Sequence, residues 1–291
     1  PVHRVMAVSD VHVDMAENMA WLRALSGETY ARSALILAGD VADDLGVLGD
    51  ALGHARRTFA EVFFVPGNHE LWVRRRECAD SLEKFRRIVA LCGSLGVRVA
   101  PARLGIGDDA VWVVPLFSWY ARPEDGPDSL FVPKDGEDPT LSMWSDTYFA
   151  VWPPGFNAAN AFLAMNEAHL ERAYDAPVIS FSHFLPRRDL IFSTPAERAA
   201  LLFPPRDPYP RFNFSRVAGS GGIDAQIRRL GSIIHVYGHQ HRNRDRIVDG
   251  VRYVSHCLGY PSERRPGAGL AVIDGPLTVW ERGKPEAGPR I

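Results

Sequence analysis

The feature that most constrains the fold of this chain is an alternation, in its first third, of short apolar runs with segments of helical periodicity. Residues 5–8, 34–38 and 61–65 are apolar runs bounded by polar turns, which is typical of strands buried on both faces. Residues 18–25 and 45–59 lie between these runs and carry apolar side chains at helical spacing. Because strand–helix–strand units make right-handed crossovers, this pattern predicts a largely parallel sheet.

The rest of the chain predicts further strands, helices and hairpins. Apolar runs predict strands at 97–100, 111–116, 178–181 and 233–237. Helical spacing predicts helices from about Arg75 to Leu91, at 158–174 and at 223–230, and Cys92-Gly93 is expected to end the first of them. Asp-Gly pairs predict two hairpins, one joining 247–248 to 251–254 and one joining 270–273 to 277–280.

Two stretches lack this regularity, at about 118–156 and 185–222. The first is rich in Pro, Gly, Asp and aromatic residues, and the second is rich in Pro. We interpret both as irregular insertions in a single domain spanning 1–291, because the sequence shows no repeat and no linker. The insertion at 118–156 either forms a wall of a substrate cleft or packs as a flap over a sheet edge, and both alternatives stay open.

Composition narrows the functional class. A hydrophobic content of 46% and a charged content of 23% are ordinary for a globular protein. The net charge of −2 and the lack of a basic tail make nucleic acid an unexpected partner. The three cysteines lack CxxC spacing, and no leader-like segment precedes Val5, so we expect a cytoplasmic protein. The sequence also has no apolar run of about 18 residues, so we expect no membrane partner.

Polar residues with metal-binding side chains follow five of the apolar runs. In chain order they are Asp10-Val-His12, Gly39-Asp40, Gly67-Asn68-His69-Glu70, His183 and Gly238-His239-Gln-His241. Each segment alone is a weak signal, because a strand-terminal Asp is often a helix cap and Gly-Asn is often a turn. Together they offer carboxylate, amide and imidazole ligands, which suit divalent metals, and paired metal sites cleave phosphate esters.

The ordered set resembles the calcineurin-like metallophosphoesterase superfamily. That family has the signature D-x-H, G-D-x-x-D, G-N-H-D/E, H and G-H-x-H, and every position is present here from residue 10 to residue 241. The resemblance implies an α/β (α+β) fold, a four-layer sandwich of two mixed β-sheets flanked by helices. It also implies that the site lies at the carboxyl-terminal edge of the strands.

The resemblance further implies a ligand set for two divalent metal ions, with Mn, Fe or Zn as candidates. The first ion is assigned to Asp10, His12, Asp40 and His241, and the second to Asp40, Asn68, His183 and His239. In this assignment Asp40 bridges the two ions. His69 is implied as the general acid and Asp43 as the carboxylate that orients it, although His69 also suits a plain turn residue.

These assignments predict a dinuclear phosphoesterase in which metal-bound hydroxide attacks the phosphate ester of a small molecule. The alternatives are a phosphodiesterase acting on cyclic nucleotides or nucleic acid, and a non-catalytic scaffold that binds protein. The protein phosphatases of the superfamily are a poor match, because Asp44-Leu45 replaces their Arg-Gly and Val13 replaces a Gly. Arg187, Arg188 and Arg242 are candidates for substrate contact, although a solvated surface charge is the plainer interpretation of each.

Overall fold

The computed structural model describes residues 2–74, 77–199, 209–266 and 270–284. Within these ranges there are ten strands. They are β1 (Arg4–Val8), β2 (Ser33–Ala38), β3 (Glu61–Val65), β4 (Ala102–Leu104), β5 (Val111–Pro115), β6 (Val178–Phe181), β7 (Ser232–Tyr237), β8 (Arg244–Val248), β9 (Val251–Ser255) and β10 (Leu277–Glu281).

The strands form two mixed sheets. The first has the order β10-β1-β2-β3, in which β1, β2 and β3 are parallel and β10 is antiparallel to β1. The second has the order β4-β5-β6-β7-β9-β8, with a parallel centre and an antiparallel strand at each edge. All six residues of β2 are buried, as expected for a central strand covered on both faces.

The α-helices flank these sheets. They are α1 (Ala16–Ala24), α2 (Gly27–Tyr30), α3 (Leu45–Thr58), α4 (Ser81–Leu95), α5 (Asp146–Phe149), α6 (Ala158–Leu170), α7 (Pro195–Ala199) and α8 (Gly221–Arg229). On the side of the first sheet, α3 contacts β3 and packs against α1 and α4. On the side of the second sheet, α8 contacts β7 and packs against α6, while β3 and β5 bring the two sheets together. The predicted architecture of two mixed sheets flanked by helices is therefore confirmed.

One predicted helix and one predicted strand differ from the structure. Helix α4 begins at Ser81, where the Asp80 side chain accepts a hydrogen bond from the Glu83 N–H, and residues 75 and 76 of the predicted helix lie outside the described ranges. The helix also runs past Cys92-Gly93, because the left-handed residue that ends it is Gly96 (φ 68°). Residues 97–100 form a single bridge to β3 through Arg98 rather than a strand.

The second predicted hairpin is also wrong. Residues 270–273 are not a strand, and β10 pairs instead with the free edge of β1. The first hairpin is confirmed, because β8 and β9 pair antiparallel across Asp249 (φ 47°) and Gly250 (φ 80°). Two consecutive positive φ angles match a type I′ turn, whose twist suits a tight hairpin.

The end of the insertion at 118–156 is hydrogen-bonded to α4 and to the segment that precedes it. Its Phe149 and Val151 carbonyls accept hydrogen bonds from the Val73 and Ser81 N–H groups, at 2.8 and 2.7 Å. The only α-helix in this described stretch is α5. In the insertion at 185–222, residues 200–208 lie outside the described ranges. No helix in the described part of the chain is both long and apolar enough to cross a lipid bilayer.

Candidate metal centre

The carboxyl ends of five strands meet at one edge of the molecule. The loops after β1 and β2 are joined by backbone hydrogen bonds from Asp10 N–H to the Gly39 carbonyl and from His12 N–H to the Asp40 carbonyl, both 2.9 Å. The loops after β6 and β7 are joined by a bond from Gly238 N–H to the His183 carbonyl, also 2.9 Å. A bridge between Ser9 and Cys257 connects the two sheets at this edge. The topology therefore gathers motifs that lie far apart in the sequence.

Backbone strain is concentrated at the same place. Seven described non-glycine residues have positive φ, and five of them belong to the predicted ligand set. These five are Asp10 (52°), His12 (45°), Asp40 (54°), His239 (74°) and His241 (50°). Left-handed conformations are unfavourable for side chains with a Cβ atom, and they persist where the surrounding structure imposes them, often at functional sites.

Glycine is required where the motif loops approach one another. A Cβ atom on Gly39 would lie 2.4 Å from His183 Nδ1, and one on Gly67 would lie 2.2 Å from Asp40 Oδ1. Both distances are too short for any side chain. The glycines that precede Asp40 and Asn68 therefore allow these loops to pack directly against the predicted ligands.

The first group of converging side chains has one ligand atom from each of four residues, all within 4.8 Å of one another: Asp10, His12, Asp40 and His241. The Nε2 atoms of His12 and His241 are 3.0 Å apart, and His241 Nε2 is 3.5 Å from Asp10 Oδ1. Glu263 Oε2 lies 2.6 Å from the other ring nitrogen, Nδ1 of His241. This contact directs Nε2 of His241 towards the group, as carboxylates do for metal-binding histidines.

The second group shares Asp40 and adds His183 and His239, again with all ligand atoms within 4.8 Å. His183 Nε2 lies 3.4 Å from Asp40 Oδ2 and 3.2 Å from His239 Nδ1. The outer ring nitrogens of the two histidines are 2.9 Å from the carbonyl oxygens of Ala38 and Val217, respectively. These carbonyls accept hydrogen bonds from the outer nitrogens, so the inner nitrogens are free to bind a cation.

Asn68 joins the second group through its amide oxygen, which lies 3.3 Å from His183 Nε2. Its Nδ2 donates to Asp146 Oδ1 at 2.9 Å. Asp146 also accepts hydrogen bonds from the indole nitrogens of Trp72 and Trp144, at 2.6 and 2.9 Å. Asp146 therefore fixes the orientation of the Asn68 amide so that its oxygen faces the group.

Charge in the centre is set by burial and by the Asp40 carboxylate. Burial lowers the pKa of His12 and His239 well below the usual value. Burial also acts to lower the pKa of His183, but Asp40 outweighs it and raises that pKa to about 9. Burial acts to raise the pKa of Asp40, but His183 holds it well below the usual value. The result is a buried anionic carboxylate among ring nitrogens, a donor set that fits divalent metals.

Glu70 holds two motif loops together. Its Oε2 accepts hydrogen bonds from the N–H groups of Asp40 (3.0 Å) and Gly67 (2.7 Å), and its Oε1 accepts from Val41 (2.5 Å) and Ala42 (3.0 Å). The carboxylate therefore ties the Gly67-to-Glu70 motif to the loop that carries Asp40. Burial raises the pKa of Glu70 to about 7, and the backbone hydrogen bonds oppose this shift.

A cavity of about 470 Å³ opens beside the first group. It is lined by His12, Asp14, Met15, Asp43, Asp44, Val47, His69, Arg74, Glu77 and Tyr260. The backbone N–H of His69 donates to Asp40 Oδ1 at 3.0 Å, and its Nε2 lies 3.8 Å from Asp40 Oδ2. Burial lowers the pKa of His69 to about 4, with Asp40 and Asp43 opposing the shift.

Arg74 is the only lysine or arginine among the described residues that line this cavity. Its guanidinium lies over the rings of Trp72 and Phe149, 4.4 and 4.6 Å from their centroids, and its Nη1 is 3.0 Å from Asp43 Oδ2. The buried Lys84 on α4 donates to the Asp43 carbonyl at 2.6 Å and so holds this loop from below. The arginine is therefore pre-positioned towards the cavity.

The three arginines that the sequence suggested for substrate contact do not line the cavity. Arg187 is engaged by Asp189, Asp224 and Asp249, at 2.9, 3.1 and 3.1 Å. Arg188 donates to the Ser129 carbonyl at 3.0 Å, and Arg242 is exposed. Sequence reasoning missed several residues that build the site, namely Arg74, Lys84, Asp146, Tyr260 and Glu263. Of these, Arg74 alone had a local signal, because it closely follows the Gly67-to-Glu70 motif.

Comparison with known proteins agrees with this geometry. The family model described as calcineurin-like phosphoesterase matches residues 3–243. The "[Acyl-carrier-protein] phosphodiesterase PptH" of Mycobacterium tuberculosis is 28% identical over 284 residues, covering 89% of this chain and 78% of the relative. The crystal structure of phosphopantetheinyl hydrolase PptH from the same organism superposes with a TM-score of 0.69 at 25% identity, covering 90% of this chain and 92% of that one.

The family match spans most of the chain and includes every residue of the two converging groups. The fold, the donor set at the strand edge and the family model therefore agree. This chain belongs to the calcineurin-like phosphoesterase family and is a metal-dependent hydrolase of phosphoric esters.

Proposed function

We propose that this protein hydrolyses the phosphodiester that attaches a phosphopantetheinyl group to an acyl carrier protein, with two divalent metal ions bound at the strand edge. The observation that carries the dinuclear site is the pair of ligand groups that share Asp40. The PptH relative supports the substrate, because its name gives a carrier protein and a phosphodiester. The sequence predicted a phosphate ester of a small molecule. The proposal specifies that this small molecule is the phosphopantetheinyl group and that it is attached to a carrier protein.

Asp10, His12, Asp40 and His241 would hold one ion, and Asp40, Asn68, His183 and His239 the other. The mixed oxygen and nitrogen ligands suit Mn, Fe or Zn. When bound, such ions neutralise charge on the phosphate and lower the pKa of a water molecule that serves as nucleophile. The contribution of the protein is to fix the inner ring nitrogens through Glu263, Ala38 and Val217.

His69 is proposed as the general acid. Its ring faces the cavity beside Asp40, with Nε2 placed to deliver a proton to the leaving-group oxygen. Burial lowers the pKa of His69 to about 4, but the Asp40 and Asp43 carboxylates oppose this shift, and a bound phosphate anion would oppose it further and favour the protonated ring. We propose that Asp43 acts on His69 through its charge and holds Arg74 by the 3.0 Å ion pair. We propose that Arg74 binds a phosphate oxygen of the substrate, the role for which the sequence had suggested other arginines.

The test uses a carrier protein that bears the phosphopantetheinyl group, incubated with the metal-loaded enzyme. Mass spectrometry should show conversion to the apo carrier protein together with released phosphopantetheine. The His69→Ala variant should bind metal normally and convert the carrier at least about 100-fold more slowly, the scale expected for loss of a general acid. Turnover of cyclic nucleotides or free phosphomonoesters, with the carrier protein untouched, would contradict the proposed substrate.

The other sequence-based alternatives receive less support. A scaffold without catalytic activity would not need to keep every predicted metal ligand, yet the donor atoms of the two ligand groups converge here. Metal analysis of the purified protein tests this alternative directly. We also propose a cytoplasmic location, supported by three buried free thiols, Cys78, Cys92 and Cys257. Fractionation of cells that produce the native protein tests the location.

A further inference from the structure

Tyr260 lies outside every motif of the ligand set, yet it reaches the reacting end of the cavity. It follows β9, and its hydroxyl is 3.3 Å from His69 Nε2. The side chain lines the same cavity as His69 and Arg74. Tyr260 is therefore adjacent to the atom from which the proposed proton transfer starts.

The position of Tyr260 is built into the metal centre. Its ring stacks on His12, with centroids 4.3 Å apart and planes 24° apart, and it meets His241 edge-on at 5.1 Å. Its backbone N–H donates to Glu263 Oε2 at 2.7 Å, the same oxygen that contacts His241 Nδ1. One carboxylate thus fixes both a predicted metal ligand and the tyrosine backbone, so the hydroxyl has little freedom to move.

The preceding turn is fixed as well. Arg264 Nη1 donates to the carbonyls of Leu258 and Gly259, at 2.8 and 2.7 Å, and its Nη2 donates to Asn18 Oδ1 at 2.7 Å. Gly259 has φ 67°, and a Cβ atom there would lie 2.9 Å from Glu263 Oε2. The loop is therefore held on both sides of Tyr260.

We propose that Tyr260 is a catalytic residue whose hydroxyl donates a hydrogen bond to the leaving-group oxygen of the phosphate ester. This role rests on the proposed phosphoesterase function. An oxygen that accepts the proton from His69 Nε2 lies about 2.8 Å from that nitrogen. The hydroxyl of Tyr260 is close enough to the same nitrogen to reach that oxygen also.

The chemical step balances without an oxidant or reductant. A water oxygen forms the new bond to phosphorus, and the water loses a proton to solvent. The bond from phosphorus to the leaving oxygen breaks, its electron pair goes to that oxygen, and His69 Nε2 supplies the proton. Tyr260 keeps its own proton and stabilises the negative charge that develops on the oxygen before protonation is complete.

The test compares Tyr260→Phe with the wild type on methyl phenyl phosphate and methyl 4-nitrophenyl phosphate. The variant keeps the ring that stacks on His12 and removes only the hydroxyl. A hydrogen bond to developing charge supports a loss in kcat of about 10- to 100-fold on the phenyl ester. On the nitrophenyl ester the loss should be below about threefold, because nitrophenolate is a stable anion that needs little help to leave.

Two further variants sharpen the result. Tyr30→Phe is the matched control, because the Tyr30 ring also stacks on an aromatic ring, with its centroid 4.9 Å from that of Phe59, and lies outside the site. The rates of Tyr30→Phe should match those of the wild type. In a His69→Ala background, Tyr260→Phe should cost less than it does alone, because both groups act on one oxygen. Metal content should be unchanged in Tyr260→Phe.

The outcomes separate this role from the function on which it rests. If the wild type cleaves both esters and Tyr260→Phe loses the same factor on each, or loses nothing, the leaving-group role is overturned while the phosphoesterase function stands. If the metal-loaded wild type cleaves neither ester nor the carrier-protein phosphodiester, the proposed function fails and this role fails with it.

Discussion

Replacing Glu70 by Gln tests whether one buried carboxylate holds the two loops that present Asp40 and Asn68. Each carboxylate oxygen accepts two backbone hydrogen bonds, at 2.5–3.0 Å. Gln has nearly the same shape, but its amide nitrogen cannot accept, so one pair of N–H groups loses its partner. A buried donor left without a partner costs about 1–3 kcal/mol, which predicts a loss of about 2–6 kcal/mol for the pair.

The assay is urea unfolding of the metal-free protein above neutral pH, with the free energy of unfolding obtained by linear extrapolation. Glu61→Gln is the matched control, because Glu61 pairs with Arg98 at the surface, and loss of such a pair costs about 1 kcal/mol or less. Metal binding should also weaken in Glu70→Gln, since the released loop carries Asp40.

A Glu70→Gln variant as stable as the wild type, or more stable, would refute this reasoning. Burial raises the pKa of the folded Glu70 to about 7, above its ordinary value of 4.5. A carboxyl group whose pKa is raised by folding costs stability as the pH rises from 4.5 through 7. This shift already includes the backbone hydrogen bonds and so argues for the opposite outcome, a neutral Gln that is the more stable form above neutral pH. The predicted loss stands instead on the two N–H groups that Gln leaves without an acceptor.

Three further predictions follow from the site. Glu263→Gln should weaken metal binding by about 10- to 100-fold, measured by metal titration, because the carboxylate that orients His241 is lost. Metal uptake at neutral pH should release protons, because the pKa of His183 is raised to about 9 and the ring must lose its proton to bind a metal ion. Calorimetry in buffers of different ionisation enthalpy detects this release. Metal affinity should therefore rise with pH up to about 9 and fall in acid. Arg74→Gln should raise KM about 10-fold or more for the carrier-protein phosphodiester, whereas the exposed Arg86→Gln should leave KM unchanged.

Much of the fold was predictable because its strands are short apolar runs with clear boundaries. The strands β1, β2, β3, β6 and β7 all lie within a residue or two of their predicted positions. The errors fall where local sequence does not decide. Residues 270–273 and 277–280 carry a strong hairpin signal, but β10 pairs with the edge of β1, a partner distant in sequence. Likewise the end of α4 depended on which of two glycines, Gly93 or Gly96, adopts positive φ.

The residues of the site also fall into two groups, those that the sequence predicted and those that it did not. Side chains at strand ends, such as Asp40 and His239, were predictable because the edge of the sheet follows from the strand pattern. The residues that orient them were not. Glu263 and Asp146 lie on segments without periodicity, and only the folded chain shows that they contact His241 and Asn68.

The central claim is that one carboxylate, Asp40, joins two metal-binding groups into a single centre. The direct test is elemental analysis of the purified protein and of Asp40→Asn after equilibration with Mn or Zn, with correct folding checked by circular dichroism. The wild type should hold about two ions per chain, and the variant should lose affinity at both positions. A wild type with less than about one ion per chain, or a folded Asp40→Asn that retains both with undiminished affinity, would contradict this account.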